Sequence, residues 1–403
     1  MSNRAQTSVT IDGDVRVFPG WPEYSDEQVA AASGVLRSGK VNYWTGTEGR
    51  EFEEEYASVV RTRHAIALAN GTVSLELALA VLDVGPGDEV ITTPRTFIAS
   101  ASCAVMRGAI PVFADVDLDS QNITAESIER ALSPRTRALM LVHLAGWPCE
   151  MDPILELAAA KGISVIEDCA QAHGAEYRAR PVGGFGTFGS FSFCQDKIIT
   201  TGGEGGMLVT DREDLWSRAW AFKDHGKSYD AVYRREHGLG FRWLHESFGT
   251  NWRMTEMQAA IGRVQLKRLP EWVERRRRNA AGLTEGLSGV KGLRIPQPAP
   301  HIRHSYYKFY AFLDVPRLRA NWTRDRVVAE INARGVPSFS GSCSEIYLER
   351  AFERCEGRPR ERLPNARALG DSSLMFLVHP TLDDSHVARA VEVTKDVLGL
   401  AVS

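Results

Sequence analysis

One lysine, Lys197, stands in the stretch GGFGTFGSFSFCQDKIITTGGEGGMLVT, residues 183–210. The apolar run Phe191-Ser192-Phe193 precedes it. Thr200, Thr201 and the cluster Gly202-Gly203-Glu204-Gly205-Gly206 follow, before a second apolar run from Met207 to Val209. A lysine held between two buried strands suits imine chemistry, because burial lowers an amine pKa and frees a nucleophile. Glycines beside it let backbone approach a ligand closely. The same pattern also fits a surface hairpin with a solvated lysine, so the rest of the chain has to decide. Asp168 ends another apolar run that starts at Ile163, and Ser192 lies five residues before Lys197. Carboxylate, hydroxyl and amine thus fall at strand ends.

The elements that must position these groups follow from periodicity. His64–Ala69 reads as a short buried strand, Asn70-Gly71-Thr72 as a turn, and Val73–Leu82 as a helix. A helix N-terminus after a small-residue turn is a ready anion site. Glu89–Thr92, Ala109–Ala114, Ala138–His143 and Ile163–Glu167 read as strands, with helices expected at Ala125–Leu132 and Asp152–Lys161 and after the loop Pro94–Ser100. Short strands alternating with helices imply a mostly parallel sheet covered on both faces, with ligands at the carboxyl ends of its strands. Thr72, Phe97, His143 and Asp168 fall at such ends, and Lys197 follows one. Upstream, a helix is expected from Trp21-Pro22 to Gly39, and VNYWTGTEG, Val41–Gly49, suits a binding loop. Lys223–Phe248 is long, polar and aromatic without periodicity, which favours a functional loop. A helix opening at Asn251 is expected to break or kink at Pro270 and then resume. From about Val290 a smaller α/β unit is expected, with a strand at Tyr306–Leu313 and helices at Thr323–Arg334, Ala366–Phe376 and Asp384–Leu398.

Bulk properties bound the function class. The 403 residues carry 43% apolar and 25% charged side chains with a formal net charge of −3, the mix of a soluble globular protein. That charge argues against general affinity for nucleic acid or anionic membranes. No apolar run spans a bilayer, no signal peptide is evident, and the expected location is cytoplasmic. The six cysteines lack C-x-x-C pairs and read as reduced thiols, so no metal site is expected.

Pyridoxal 5'-phosphate (PLP) needs the parts found here. Its aldehyde needs a lysine, its pyridine nitrogen a carboxylate, its phosphate N–H groups and hydroxyls, and its ring an aromatic neighbour. The chain resembles the DegT/StrS family of PLP-dependent sugar aminotransferases. The resemblance runs from Trp21 to Leu382 and is carried by ANGTVSLELAL, TPRTFIASAS, VIEDCAQAHGA, FSFCQDKIITTGGEGGM, GTNWRMTEMQAAIG and SLMFLVHPTL.

It implies the type I fold: an α/β chain with a loose segment 1–20, a large cofactor domain 21–270, and a linker helix with a small C-terminal domain 271–403. Lys197 would be the imine lysine and proton shuttle, and Asp168 the partner of the pyridine nitrogen. Gln171 would lie against the ring or its oxygen, Phe97 would stack on it, and Gly71, Thr72 and Ser192 would hold the phosphate. Asn251 would reach the phosphate of a neighbouring subunit, which makes the protein a homodimer with shared sites. Trp44 and Thr45 are candidates for touching the sugar, while His143 and His173 read as packed or hydrogen-bonding histidines.

The implied reaction moves an amino group from glutamate or glutamine to a keto-sugar through an internal aldimine and pyridoxamine phosphate. Two departures, the extra glycine at Gly202-Gly203 and Ala145 where many members have tyrosine, make substrate specificity unsafe to transfer. The strings VNYWTGTEG, FCQDKI and HESFGTNWRMTEMQ lean toward the branch of the 8-amino-3,8-dideoxy-manno-octulosonate transaminase. Alternatives are a PLP-dependent dehydratase, an aminocyclitol- or aminobenzoate-forming enzyme, or a non-catalytic PLP-binding regulator. Family dehydratases replace the lysine with histidine, and a mere binder would not require both Asp168 and Lys197.

Overall fold

The computed structural model describes residues 18–403. The expectation of a loose segment at 1–20 lies outside the described residues as far as residue 17. Phe18 packs edge-on against His386, with ring centroids 5.1 Å apart.

In chain order the first half runs α1 (Asp26–Ser38), α2 (Glu48–Val60), β1 (His64–Leu68), α3 (Gly71–Val81), β2 (Glu89–Thr92), α4 (Ala99–Met106), β3 (Ile110–Phe113), α5 (Ala125–Ala131), β4 (Thr136–Val142), α6 (Met151–Lys161) and β5 (Ser164–Asp168). There follow β6 (Glu176–Tyr177), β7 (Arg180–Pro181), β8 (Phe188–Ser192), β9 (Gly206–Thr210), α7 (Glu213–Lys223), α8 (Tyr229–Tyr233) and α9 (Glu256–Leu287). The last third holds β10 (Leu293–Arg294), β11 (Ile302–Arg303), β12 (Phe309–Leu313), α10 (Arg324–Ala333), β13 (Ser338–Phe339), α11 (Pro364–Ser372), β14 (Ser373–Phe376) and α12 (Asp384–Ala401).

Seven strands form the main sheet in the order β1-β9-β8-β5-β4-β2-β3. β8, β5, β4, β2 and β3 are mutually parallel, while β9 is antiparallel to both β8 and β1. The sheet is therefore mostly parallel, with one reversed strand. All five residues of β8 and of β9 are buried, as expected of strands covered on both faces. A second sheet, β10-β12-β14-β13, is antiparallel throughout. Its core joins Phe309, Ala311, Leu374 and Phe376 to Val393 and Val397 of α12 and to Ala280 and Leu283 of α9.

Four expectations change. The helix expected to open at Asn251 begins at Glu256, where the Thr255 hydroxyl accepts the Gln258 N–H as its cap. The first helix starts at Asp26, where Ser25 and Gln28 form a capping box, not at Trp21. Ala366–Phe376 is helical only to Ser372. Ser373–Phe376 pairs with β12 instead, because a short apolar segment meets a waiting strand edge. Pro270 does not break its helix, which runs continuously from Glu256 to Leu287. Leu266, Leu269, Trp272 and Val273 are all buried in the main core around that proline, and their packing outweighs the lost N–H bond.

Candidate active site

The sheet brings β5, β8 and the N-terminus of α3 to one edge. Asp168 is the last residue of β5 and is 5% exposed. Its Oδ2 accepts a bond from Ser100 Oγ at 2.7 Å and its Oδ1 from the Ala170 N–H at 3.1 Å. Thr96 Oγ1 lies 2.9 Å from Ser100 Oγ, and since the Ser100 proton goes to Asp168, Thr96 is the donor in that pair. Burial raises the Asp168 pKa above the ordinary carboxylate value. The Ser100 bond, the Ala170 bond and the Lys197 amine oppose the rise without cancelling it.

Ser192 ends β8, and Gly71 opens α3 directly against it: a Cβ on Gly71 would stand 2.6 Å from Ser192 Cβ. On the other side, a Cβ on Gly206 would stand 2.3 Å from the Asn70 carbonyl. Only glycine fits this close approach of three chain segments. Asn70 caps α3 by accepting the Val73 N–H, which leaves the N–H groups of Gly71 and Thr72 at the helix start for another acceptor. Thr72 is exposed there. Phe97 precedes α4 and is 68% exposed, so its ring is not core.

Lys197 follows β8 on a tight turn closed by its N–H to the Cys194 carbonyl at 3.0 Å. Its Nζ lies 3.7 Å from Asp196 Oδ1 and 5.0 Å from the centroid of Tyr307. Its carbonyl accepts the Trp21 indole N–H at 2.8 Å. Tyr307 is buried, and its hydroxyl bonds Asp196 Oδ2. Gln171 Oε1 accepts the Ala145 N–H at 2.8 Å. Ala145 adopts φ 58°, a left-handed conformation unusual for alanine, and its carbonyl accepts the Tyr307 N–H at 2.8 Å. The turn after β4 is thereby stitched both to Gln171 and to the segment carrying Tyr307.

Both histidines are buried and hydrogen-bonded. His173 Nε2 is 2.9 Å from the Ser192 carbonyl, an acceptor only, so Nε2 carries the proton and Nδ1 accepts from Tyr56 at 2.8 Å. Burial lowers the His173 pKa to about 4 and keeps the ring neutral. His143 Nδ1 accepts the Cys149 N–H, so its Nε2–H donates to Glu167 at 3.0 Å. Glu167 also accepts the N–H groups of Gly183, Phe185 and Gly186 at 2.7 Å each. Cys169 lies near enough to this pair for the three donor atoms to fall within 4.8 Å of one another. The oxygens of Glu167 and Nδ1 of His143 are already taken by the protein, and burial pushes the Cys169 thiol up to about 12.

The structure places Asn251, Trp44 and Thr45 elsewhere. Trp44 packs with Tyr43, Trp220 and Tyr233, and Lys227 Nζ sits 4.3 Å from its ring centroid. Thr45 is exposed and bonds the Asn42 carbonyl. Asn251 is exposed and its backbone forms an isolated antiparallel bridge with Asp224; the Asp224 Oδ1 holds Arg253 Nη1 at 2.6 Å and Lys227 Nζ at 3.0 Å. Trp252 and Arg253 pair with Ala69 and Leu68 of the same chain, immediately before Asn70. Sequence reasoning missed Ser100, Asp196, Tyr307 and Trp21. Ser100 had a signal, a serine in a helix's first turn after the Thr96-Phe97 loop. Trp21, distant in sequence from Lys197, had none.

Comparison with known proteins gives the family and the fold. An aminotransferase from Psychrobacter cryohalolentis of solved structure superposes with a TM-score of 0.94 at 53% identity, covering 95% of this chain and 99% of that one. The dTDP-3-amino-3,4,6-trideoxy-alpha-D-glucose transaminase of Streptomyces venezuelae is 33% identical, covering 98% of each chain. GDP-perosamine synthase of Caulobacter vibrioides is 39% identical, covering 88% of this chain and 92% of that one. The architecture is fold type I of the PLP-dependent transferases. With the family model matching residues 22–395, the chain belongs to the DegT/DnrJ/EryC1/StrS aminotransferase family.

Proposed function

We propose that this protein is a PLP-dependent aminotransferase that moves an amino group from glutamate or glutamine to a keto-sugar. The observation that carries the reading is the convergence at one sheet edge of Asp168, Lys197 and the Gly71–Ser192 approach at the start of α3. The residues fit the cofactor. Asp168 is buried with a single N–H and a single hydroxyl as partners, which leaves lone-pair capacity for a pyridine N–H. The α3 N-terminus, with Thr72 and the Ser192 hydroxyl, offers donors to a phosphate. Phe97 presents an exposed ring for stacking, and Gln171 retains its amide N–H groups because only its Oε1 is engaged.

When bound, PLP supplies an electron sink that makes the bond to an α-proton labile. Lys197 Nζ would hold the cofactor and would carry the proton between the two carbons that exchange it. Asp168, ionised, keeps a proton on the pyridine nitrogen. Asn251 serves the phosphate of the neighbouring subunit in a homodimer. Trp44 and Thr45, placed away from Lys197 in their own chain, would reach a sugar only in the neighbouring subunit's site. The named relatives carry dTDP- and GDP-linked sugars in their names, which favours a nucleotide-linked keto-sugar over the free sugar acid of the octulosonate branch. Dehydration is the weaker reading because Lys197 is present.

Borohydride reduction of the yellow holoprotein, followed by peptide mapping, tests the assignment. The adduct should lie on Lys197, and Lys197→Ala should bind PLP without showing the absorbance change that glutamate gives the unmodified protein. An adduct on Lys223 would move the site to a different place, since that amine is buried 3.6 Å from Glu53 and 3.6 Å from the Tyr43 ring centroid.

A further inference from the structure

Beside Lys197 the structure gathers more positive charge than the proposed chemistry uses. Tyr307 is the centre of the group. Lys197 Nζ lies 5.0 Å from its ring centroid and Lys308 Nζ lies 4.7 Å from the same centroid. The Tyr307 carbonyl accepts a bond from Arg276 Nη1 at 3.2 Å. Arg276 is 1% exposed, its guanidinium carbon 5.2 Å from the Trp21 ring centroid, and its Nε and Nη2 have no hydrogen-bond partner. His379 stacks on the same Trp21 ring, with centroids 6.2 Å apart, and feels the charge of both Arg276 and Lys308. Burial first, then these cations, lower the His379 pKa, so it adds no charge of its own near neutrality.

Three cations therefore face one carboxylate, Asp196, which already takes the Tyr307 hydroxyl and lies 3.7 Å from Lys197. Lys308 forms no ion pair among the described residues. Burial, then the neighbouring cations, bring its amine down to about 8, although Asp196 opposes them. A half-buried ammonium and a buried guanidinium with unused N–H groups, left with this imbalance, are stabilised by an incoming anion.

We propose that Lys308, backed by Arg276, binds an oxyanion of the substrate beside Lys197, and that this oxyanion is the carboxylate of the amino donor. The inference rests on the aminotransferase reading and adds the residue that recognises the donor. Position selects the donor over a nucleotide-linked sugar. The site lies next to the amine that handles the reacting carbon. An amino acid carries its α-carboxylate on that carbon, whereas a sugar diphosphate is several bonds away from the carbon that is aminated. Both half-reactions share the site, so the oxyanion leaves with the keto acid before the sugar enters.

The test uses the holoenzyme and two probes, glutarate for the donor and dTDP for a nucleotide diphosphate, with binding followed by cofactor absorbance. Lys308→Met should weaken glutarate binding by roughly 10- to 100-fold and raise the KM for glutamate in step, with kcat changed far less. Lys308→Arg should restore both, since it keeps the charge. A loss confined to dTDP would overturn the donor assignment and give the oxyanion to the sugar nucleotide. Unchanged glutarate affinity and KM would overturn the inference. Lys308→Gln, checked by its unfolding curve, replaces the methionine variant if that does not fold. The reading beneath the inference fails separately: unmodified protein that gives no absorbance change with glutamate or glutamine would sink the aminotransferase assignment, whatever Lys308 does.

Discussion

In the proposed PLP enzyme, the proton on the pyridine nitrogen would depend on one oxygen pair. Asp168 is buried, so its charged form is costly, and the Thr96–Ser100 hydroxyl relay is what favours ionisation locally. Asp168→Asn keeps the size and removes the charge. Turnover should fall by several orders of magnitude with the fold intact, each order being about 1.4 kcal/mol of barrier. Near-normal turnover would mean that another acid serves the nitrogen. Ser100→Ala is subtler. It removes a bond to the ionised form, so the Asp168 pKa should rise further and the acid limb of the kcat/KM profile should move to higher pH. A profile that scales down without shifting would assign Ser100 to packing alone. At this scale the sequence singled out charged groups and gave little sign of the side chains around them. Lys197 and Asp168 carry chemistry that few positions need, so their types and strand-end positions announced them. Ser100 and Tyr307 act through tertiary contacts, Ser100 on Asp168 at 2.7 Å and Tyr307 through its hydroxyl on Asp196.

At the level of elements, Glu167 fixes the strand end that carries Asp168. Its carboxylate gathers the turn Gly183–Gly186 and His143 around the last residues of β5. Burial alone would raise its pKa, but the His143 bond and the backbone N–H groups more than offset that, and the net shift is downward. A lowered folded pKa contributes stability that is present above the unfolded value of about 4.3 and is lost as pH falls through the folded value. Glu167→Gln should turn an amide N–H toward backbone donors and cost at least about 2 kcal/mol in urea unfolding at pH 7, with the acid-side loss of stability reduced. An unfolding midpoint within error of the parent would show that solvent relieves the turn. Elements were legible where a strong period coincided with a helix or strand of ordinary length. Ser373–Phe376 was not, because a serine and three apolar residues extending a helical pattern look alike in both states until β12 supplies a partner.

For the whole molecule, the exposed aromatic side chains of Phe241, Trp243 and Phe248 lie in the segment that leads to Asn251. This is the face that the homodimer proposal would cover. If Asn251 crosses to the neighbour, Lys197→Ala and Asn251→Ala damage different sites, and a mixed dimer keeps one site whole. Co-refolding the two inactive variants should then recover part of the activity. Verified mixed dimers without any gain would assign Asn251 to its own chain, where Trp252 and Arg253 already pair with Ala69 and Leu68. The two sheets, in turn, are joined mechanically by α9. Its first half is packed into the core beneath Lys197 through Ala259, Leu266 and Leu269, and its second half into the small-sheet core through Ala280 and Leu283. A single rod clamped at both ends does not swivel. Relative movement of the sheets has to come from bending that rod, and its most compliant point is the rung missing at Pro270, which cannot donate to the Leu266 carbonyl. Leu266 and Leu269 before that point and Trp272 and Val273 after it share the main core with Tyr307, so that core splints the missing rung and couples the small sheet to the ground on which Lys197 stands.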